Sequence, residues 1–321
     1  MIGRKLTERL LRDGTLAGTP ITHLLLADVV EPARPSTGGV GLDIDTLAAD
    51  LAEGWVAGEL VAARPDVIFH LAAVVSGEAE VDFAKGYRTN LDGTRLLLDA
   101  IRTAGGGYRP RLVFSSSIAV FGPPYLDSIG DDRSTTPMTS YGTQKAITEL
   151  LLSDYTRRGF LDGVGIRLPT ICVRPGAPNL AASSFFSNII REPLHGREAI
   201  LPVPEDVRHW FASPRAAVGF LLHAASLDSA QLDHRRCLTM PGVSATVADE
   251  LDALARIGGD EALRLVLREP DEAIMRIVGG WPHRFDARRA HALGFRAETD
   301  FDEIVRVYVE DELGGRAEAA P

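Results

Sequence analysis

Ser117, Tyr141 and Lys145 are the residues of this 321-residue chain whose types and spacing can do chemistry. Tyr141 and Lys145 stand four apart in TSYGTQKAITELLL, a spacing that puts both side chains on one face of a helix. An alcohol surrenders a hydride only if its hydroxyl proton also leaves, so a base must touch that oxygen. A free phenol, with a pKa of about 10, is a poor base at neutral pH, and a neighbouring ammonium favours the phenolate. Six tyrosines and three lysines make a chance Tyr-x-x-x-Lys match rare, roughly 0.06 expected. Only Lys5, Lys85 and Lys145 interrupt a basic set of 34 that is otherwise arginine, which points to a use for the compact ammonium. Ser117 closes the run RLVFSSS, where its hydroxyl can orient an alcohol oxygen and share charge developing on it. Ser115 and Ser116 alternate with it, so one of them faces the cofactor or the core.

These residues need a strand and a helix held at a fixed angle, and the chain supplies alternating strands and helices through residue 171. That alternation predicts a doubly wound α/β fold with a parallel sheet. ITHLLLADVV reads as a buried strand ending in Asp28, where a carboxylate grips ribose hydroxyls and repels a 2′-phosphate, so NAD is favoured over NADP. Asp43, in LDI, is a candidate for the adenine amino group. PDVIFHLAAVVSG reads as an apolar strand, with Leu71 followed by Ala72 and Ala73, whose small side chains let backbone approach a cofactor. His70 reads as a packing residue at the strand end. Asn90 and Gly93 are expected to begin an amphipathic helix that ends in the glycines at 105–107.

The first residues, MIGRKLTERLLRDG, read as a helix already under way, with Gly3 fitting the last glycine of a dinucleotide-binding turn. A preceding strand and earlier glycines are missing from the sequence, which predicts a native start upstream of Met1 and exposed apolar flanks where that strand would lie. From Gly176 the composition turns to small and polar residues among aromatics, suiting a pocket wall. We therefore expect an NAD-binding domain over 1–172 and a smaller, mainly helical substrate lobe over 173–321, with some return of chain to the first domain.

A net charge of −10 disfavours nucleic acid and anionic membrane surfaces as partners. Two distant cysteines and eight scattered histidines suit neither a disulfide framework nor a metal site. No apolar run approaches the roughly 20 residues of a membrane span, so a cytoplasmic protein without a metal is expected.

Asp28, HLAA at 70–73, NLDGT at 90–94, SSSIAVFG at 115–122, YGTQK at 141–145, RLPTICVRPG at 167–176 and the late DARRAHALGF together resemble the extended short-chain dehydrogenase/reductases, also called the NAD-dependent epimerase/dehydratase family. Within it, RPGAPNLAASSFFSNIIREPL and RHWFASP are most similar to members that oxidise a four-carbon sugar acid with NAD. The resemblance implies oxidation of D-erythronate to 2-oxo-D-erythronate, with Ser117, Tyr141 and Lys145 catalytic. It implies that Leu71, Asn90, Ser115 and Pro169, with Tyr141 and Lys145, also contact NAD. Ser76, Asn179 and Ser183 would meet the substrate hydroxyls, and Arg174 and Arg208 are candidates for the carboxylate. A homodimer through helices at about 91–103 and 140–156 is a further implication. Two alternatives stay open. A nucleotide-sugar epimerase would use the same residues, although Ile118 and Ala119 stand where a dehydratase carries an acidic pair; a non-catalytic NAD sensor would lack Tyr141 or Lys145.

Overall fold

The structure, a computed structural model, describes residues 1–35, 42–125, 127–176 and 183–315. RLVFSSS forms the strand Arg111–Ser117 inside a four-stranded parallel sheet, in the order Cys237–Thr239, Asp162–Leu168, Arg111–Ser117, Val67–His70. Alternation along Arg111–Ser117 divides its side chains between two cores. Val113 joins Val164, Ile166 and Leu238 against the helices Ile2–Asp13 and Pro214–Ser226, which bring Leu6, Leu10, Phe220 and Leu221. Leu112 and Phe114 face the opposite layer, Val56–Ala62, Thr94–Thr103 and Ser140–Arg157, with Val61, Leu98, Ile101 and Leu152. Each such side chain, fully buried, contributes about 1.5–3 kcal/mol. Glycine at 163 lets the Ser140–Arg157 helix press onto the sheet: a Cβ there would lie 2.5 Å from Leu152 Cδ1. The doubly wound α/β architecture read from the alternation is the architecture observed.

A second parallel pair, His23–Asp28 with Asp43–Ala48, stands apart from the four-stranded sheet. Leu24, Leu25 and Leu26 in one piece, and Val67, Ile68 and Phe69 in the other, are only partly covered. The register corrects one expectation. His23 pairs with Asp43 and Asp28 with Ala48, so Asp43 opens its strand and lies at the end of the sheet opposite Asp28. At about 3.3 Å per residue, five residues of strand separate the two levels by roughly 16 Å. The carboxylate that follows this strand at the Asp28 end is Asp50, and Ala49 N donates to Asp28 O at 2.9 Å.

A second correction concerns the helix around Asn90. It is already running at Phe83–Gly86, passes through a π-helical stretch at Tyr87–Gly93 and continues as Thr94–Thr103, so Asn90 and Gly93 are interior rather than initial.

Beyond Cys172 the chain builds another core, from Phe186, Ile189, Ile190, Phe211, Leu254, Ile304 and Val305 among others. The helices Ser184–Leu194, Val247–Arg264 and Phe301–Glu312 dominate it. Short strands run among them: Val243–Thr246, Arg208–Ala212 and Thr170–Ile171 form one sheet, and Ala199–Leu201 pairs with Val266–Arg268. Runs of two to five residues are too short to declare a period of two, which is why they do not stand out in the sequence. Cys237–Thr239 returns to the first sheet. Among the described residues no helix is long and apolar enough to cross a membrane.

Candidate active site

The C-terminal ends of Arg111–Ser117 and Asp162–Leu168 finish level, Ser117 opposite Leu168, with buried Pro169 just beyond. The chain leaves Ser117 into a tight turn, Ile118–Val120, whose Ala119 N donates to Ser117 Oγ at 3.1 Å. Against this turn sits the start of Ser140–Arg157, capped by Thr139, whose Oγ1 accepts Gly142 N at 3.1 Å. The approach is so close that a Cβ on residue 142 would lie 2.2 Å from Ala119 O. Helix spacing then places Tyr141 and Lys145 over the strand end. The Ser117 hydroxyl stands close enough to Tyr141 to lower the proton affinity of its phenol, and the Lys145 ammonium nitrogen lies 5.5 Å from the centre of the tyrosine ring.

Burial governs the proton affinities here. It pushes the Tyr141 phenol up to about 12, with the Ser117 hydroxyl pulling it back. It pushes Lys145 down to about 7, against the charge of Glu149. Lys145 Nζ donates to Ser115 O at 2.7 Å and lies 4.7 Å from the centre of the Phe114 ring. The three serines divide as strand alternation requires. Ser115 Oγ donates to His70 O at 3.1 Å, whereas buried Ser116 donates to Glu149 Oε1 at 2.5 Å. His70 is a packing residue: burial, and then the Lys145 charge, push its imidazole down to about 3, and Nε2 meets Thr94 Oγ1 at 2.8 Å.

On the cofactor side, exposed Asp28 ends its strand, and Leu71, Ala72 and Ala73 follow the end of Val67–His70. Gly3 stands beside Leu71: a Cβ on it would be 3.8 Å from Leu71 Cδ1. Gly3 lies in the first turn of the helix Ile2–Asp13, the end of a helix whose amides favour an anion. Small side chains, a helix start and a strand-end carboxylate fit a dinucleotide without a 2′-phosphate. Asn90 lies beside the same segment. Its buried amide accepts Val74 N at 2.7 Å and donates to Val74 O at 3.1 Å and Gln144 Oε1 at 2.7 Å, so it braces the backbone after the alanines against the helix Ser140–Arg157.

Asp50 was not singled out by sequence reasoning. Its Oδ1 accepts Ala52 N at 2.9 Å, a bond that holds its carboxyl below the usual range, and Arg88 pairs with Oδ2 at 2.6 Å. The signal was available, since the acidic residue wanted is the one that follows a strand.

The substrate-side residues are spread over several elements. Ser76 opens the helix Ser76–Val81 directly after the alanine segment. Arg208 begins Arg208–Ala212 and shares a strand face with Trp210, which packs in one cluster with Ile118, Val120 and Ala146 at the turn after Ser117. Its Nη1 donates to Ser244 O at 2.9 Å. Arg174 is half-buried against Ser184–Leu194; its Nη2 reaches Ser183 Oγ at 3.4 Å, and among the described residues it has no carboxylate partner. Asn179 lies outside the described residues.

The sequence model of the NAD dependent epimerase/dehydratase family matches residues 1–226. The chain is 45% identical to the D-erythronate dehydrogenase of Cupriavidus necator over 97% of this chain and 95% of that protein. It is 41% identical to the D-erythronate dehydrogenase of Haemophilus influenzae, over 97% and 96%. Among solved structures it is similar to the nucleoside-diphosphate-sugar epimerase from Agrobacterium tumefaciens, with 61% identity and a TM-score of 0.96 across 99% of this chain and 93% of that one.

Proposed function

Because the chain belongs to the NAD-dependent epimerase/dehydratase family, we propose that it is an NAD-dependent dehydrogenase that oxidises a secondary hydroxyl of a small sugar acid, D-erythronate, to 2-oxo-D-erythronate. The observation that carries this reading is the meeting of Ser117, Tyr141 and Lys145 at one strand end. In it, Ser117 holds the substrate oxygen while Tyr141 takes the hydroxyl proton. Lys145, as ammonium, favours the phenolate against the burial that opposes it. NAD, when bound, would supply the acceptor for the hydride, so that loss of the proton to Tyr141 and of the hydride from the same carbon leaves a carbonyl. Asp28 and the alanine segment would hold the dinucleotide, with Asp50 taking the place first assigned to Asp43. Arg174, an unpaired cation among the described residues, and Arg208 offer the planar donors that suit a carboxylate.

In this reading residues 1–172 hold the cofactor and 173–321 the substrate, the protein works in the cytoplasm, and two copies associate. The 61% identity to a nucleoside-diphosphate-sugar epimerase favours a second reading, epimerisation with retained NAD. Net NADH formation separates the two. It is expected with D-erythronate and not with UDP-sugars, and Tyr141→Phe is expected to lower turnover roughly 10²–10⁴-fold while NAD affinity changes little. Turnover retained in Tyr141→Phe would reject the assignment.

A further inference from the structure

One helical turn beyond Lys145, the same helix presents Glu149 to the sheet, and the mechanism above gives it no part. It is 5% exposed. Arg167, on the neighbouring strand Asp162–Leu168, holds it bidentately: Nε to Oε1 at 2.9 Å and Nη2 to Oε2 at 2.7 Å. Ser116, on Arg111–Ser117 between the two serines of the site, donates to Oε1 at 2.5 Å. The Arg167 guanidinium in turn lies over the Phe121 ring, 5.0 Å from its centre, just past the turn that follows Ser117. One carboxylate therefore ties the catalytic helix to both strands whose ends form the site.

We propose that Glu149 is a positioning residue of the helix Ser140–Arg157: it fixes the helix against Arg111–Ser117 and Asp162–Leu168 through Ser116 and Arg167, and, one turn from Lys145 on the same helix, its carboxylate stands as the counter-charge of that ammonium. This rests on the reading of Tyr141 and Lys145 as the proton-handling pair. The groups around Lys145 leave that electrostatic task to Glu149. Its own helix contributes Tyr141 and Glu149. Arg111–Ser117 contributes the Ser115 carbonyl, the Phe114 ring face and the Ser117 hydroxyl, all uncharged. Val67–His70 contributes His70, held neutral with Thr94 as its partner. Asp162–Leu168 contributes the cation Arg167, and the edge strand beyond it contributes Cys237, a thiol that burial pushes well up. Among the described residues no carboxylate pairs directly with Lys145. Glu149 is the charge that opposes the effect of burial on it.

A chain with three lysines permits a direct test. With lysine labelled by ¹³C at Cε, the Lys145 resonance in the cofactor-free protein is assigned by its loss in Lys145→Met and titrated against pH. In Glu149→Gln the Lys145 midpoint is expected to fall by about one pH unit, a tenfold change in acid dissociation. In Glu149→Asp, which keeps the charge, most of that shift is expected to be absent. The alkaline limb of turnover should move down with the midpoint in the Gln variant. A carboxylate that only braces the fold would lower stability and leave the midpoint where it was. If Glu149→Gln fails to fold because Arg167 is left unpaired, the double variant with Arg167→Met serves, read against Arg167→Met alone, and the midpoint must fall between those two. A midpoint unchanged from wild type in Glu149→Gln, or from Arg167→Met in the double variant, overturns the proposal. The titration needs neither cofactor nor substrate, so a failure to oxidise D-erythronate would sink the substrate reading and leave this result standing.

Discussion

Glu250 lies wholly buried in the first turn of Val247–Arg264, and neither of its carboxylate oxygens meets a donor among the described residues. Burial, with the charge of Asp249 adding to it, pushes its carboxyl well above the ordinary range. The sign of the consequence follows from proton linkage. Above about pH 4.5 the unfolded chain gives up this proton while the folded chain keeps it, so stability declines as pH rises toward the folded value. Glu250→Met, of similar volume and without charge, is expected to raise the thermal unfolding midpoint, and to raise it more at about pH 8 than at about pH 5. Calorimetry at the two pH values measures this, and an equal gain at both would contradict it. Lys145 is the opposite case of a burial-shifted group, since the folded chain gives up its proton first. The destabilisation it causes is full below about 7 and is relieved as pH rises toward the value of an ordinary lysine. A cost of this kind, tolerated at one face of one helix, is what a working site leaves behind.

The catalytic helix is placed by contacts that only glycine permits. Gly142 lets its first turn meet the carbonyl of Ala119, and Gly163 lets its later turns meet the strand Asp162–Leu168. Gly142→Ala would force backbone against backbone, where no flexible side chain can yield. We expect it to cost about 1–3 kcal/mol of stability and to lower turnover more than tenfold by lifting Tyr141 from Ser117. Denaturant unfolding alongside steady-state kinetics checks both; a variant of normal activity would show that this approach does not set the geometry. Asn90 acts at the same scale. Its amide, held in the π-helical stretch, carries the position of the catalytic helix, through Gln144, to the backbone at Val74. The misplacement of Asp43 is also an error of element scale. LDI contains the right residue type, but which end of a strand faces the site depends on its direction beside Asp28, and that is a matter of register.

At the scale of the whole molecule, the layer that carries the catalytic helix also shows apolar side chains to solvent: Leu150 on Ser140–Arg157 is 71% exposed, and Val81 and Phe83, on the adjoining short helices, are 90% and 60% exposed. Large exposed apolar groups on touching helices are what an interface between copies leaves uncovered in a single chain. In sedimentation the wild type is expected to run as two chains and Leu150→Asp as one, with its secondary structure intact; a variant that still pairs would place the interface elsewhere. The alternating fold, the Tyr141–Lys145 face, the strand-end position of Asp28 and the packing role of His70 could be read from the sequence alone, because each depends on a period of two or of 3.6 along one element. Only the tertiary structure decided that Asp50 rather than Asp43 shares the edge with Asp28, that Asn90 ties Val74 to Gln144, and that Glu149 joins Arg167 and Ser116, residues 18 and 33 positions away. Those relations cross from one element to another, where direction, register and burial choose the partners and no local period records them.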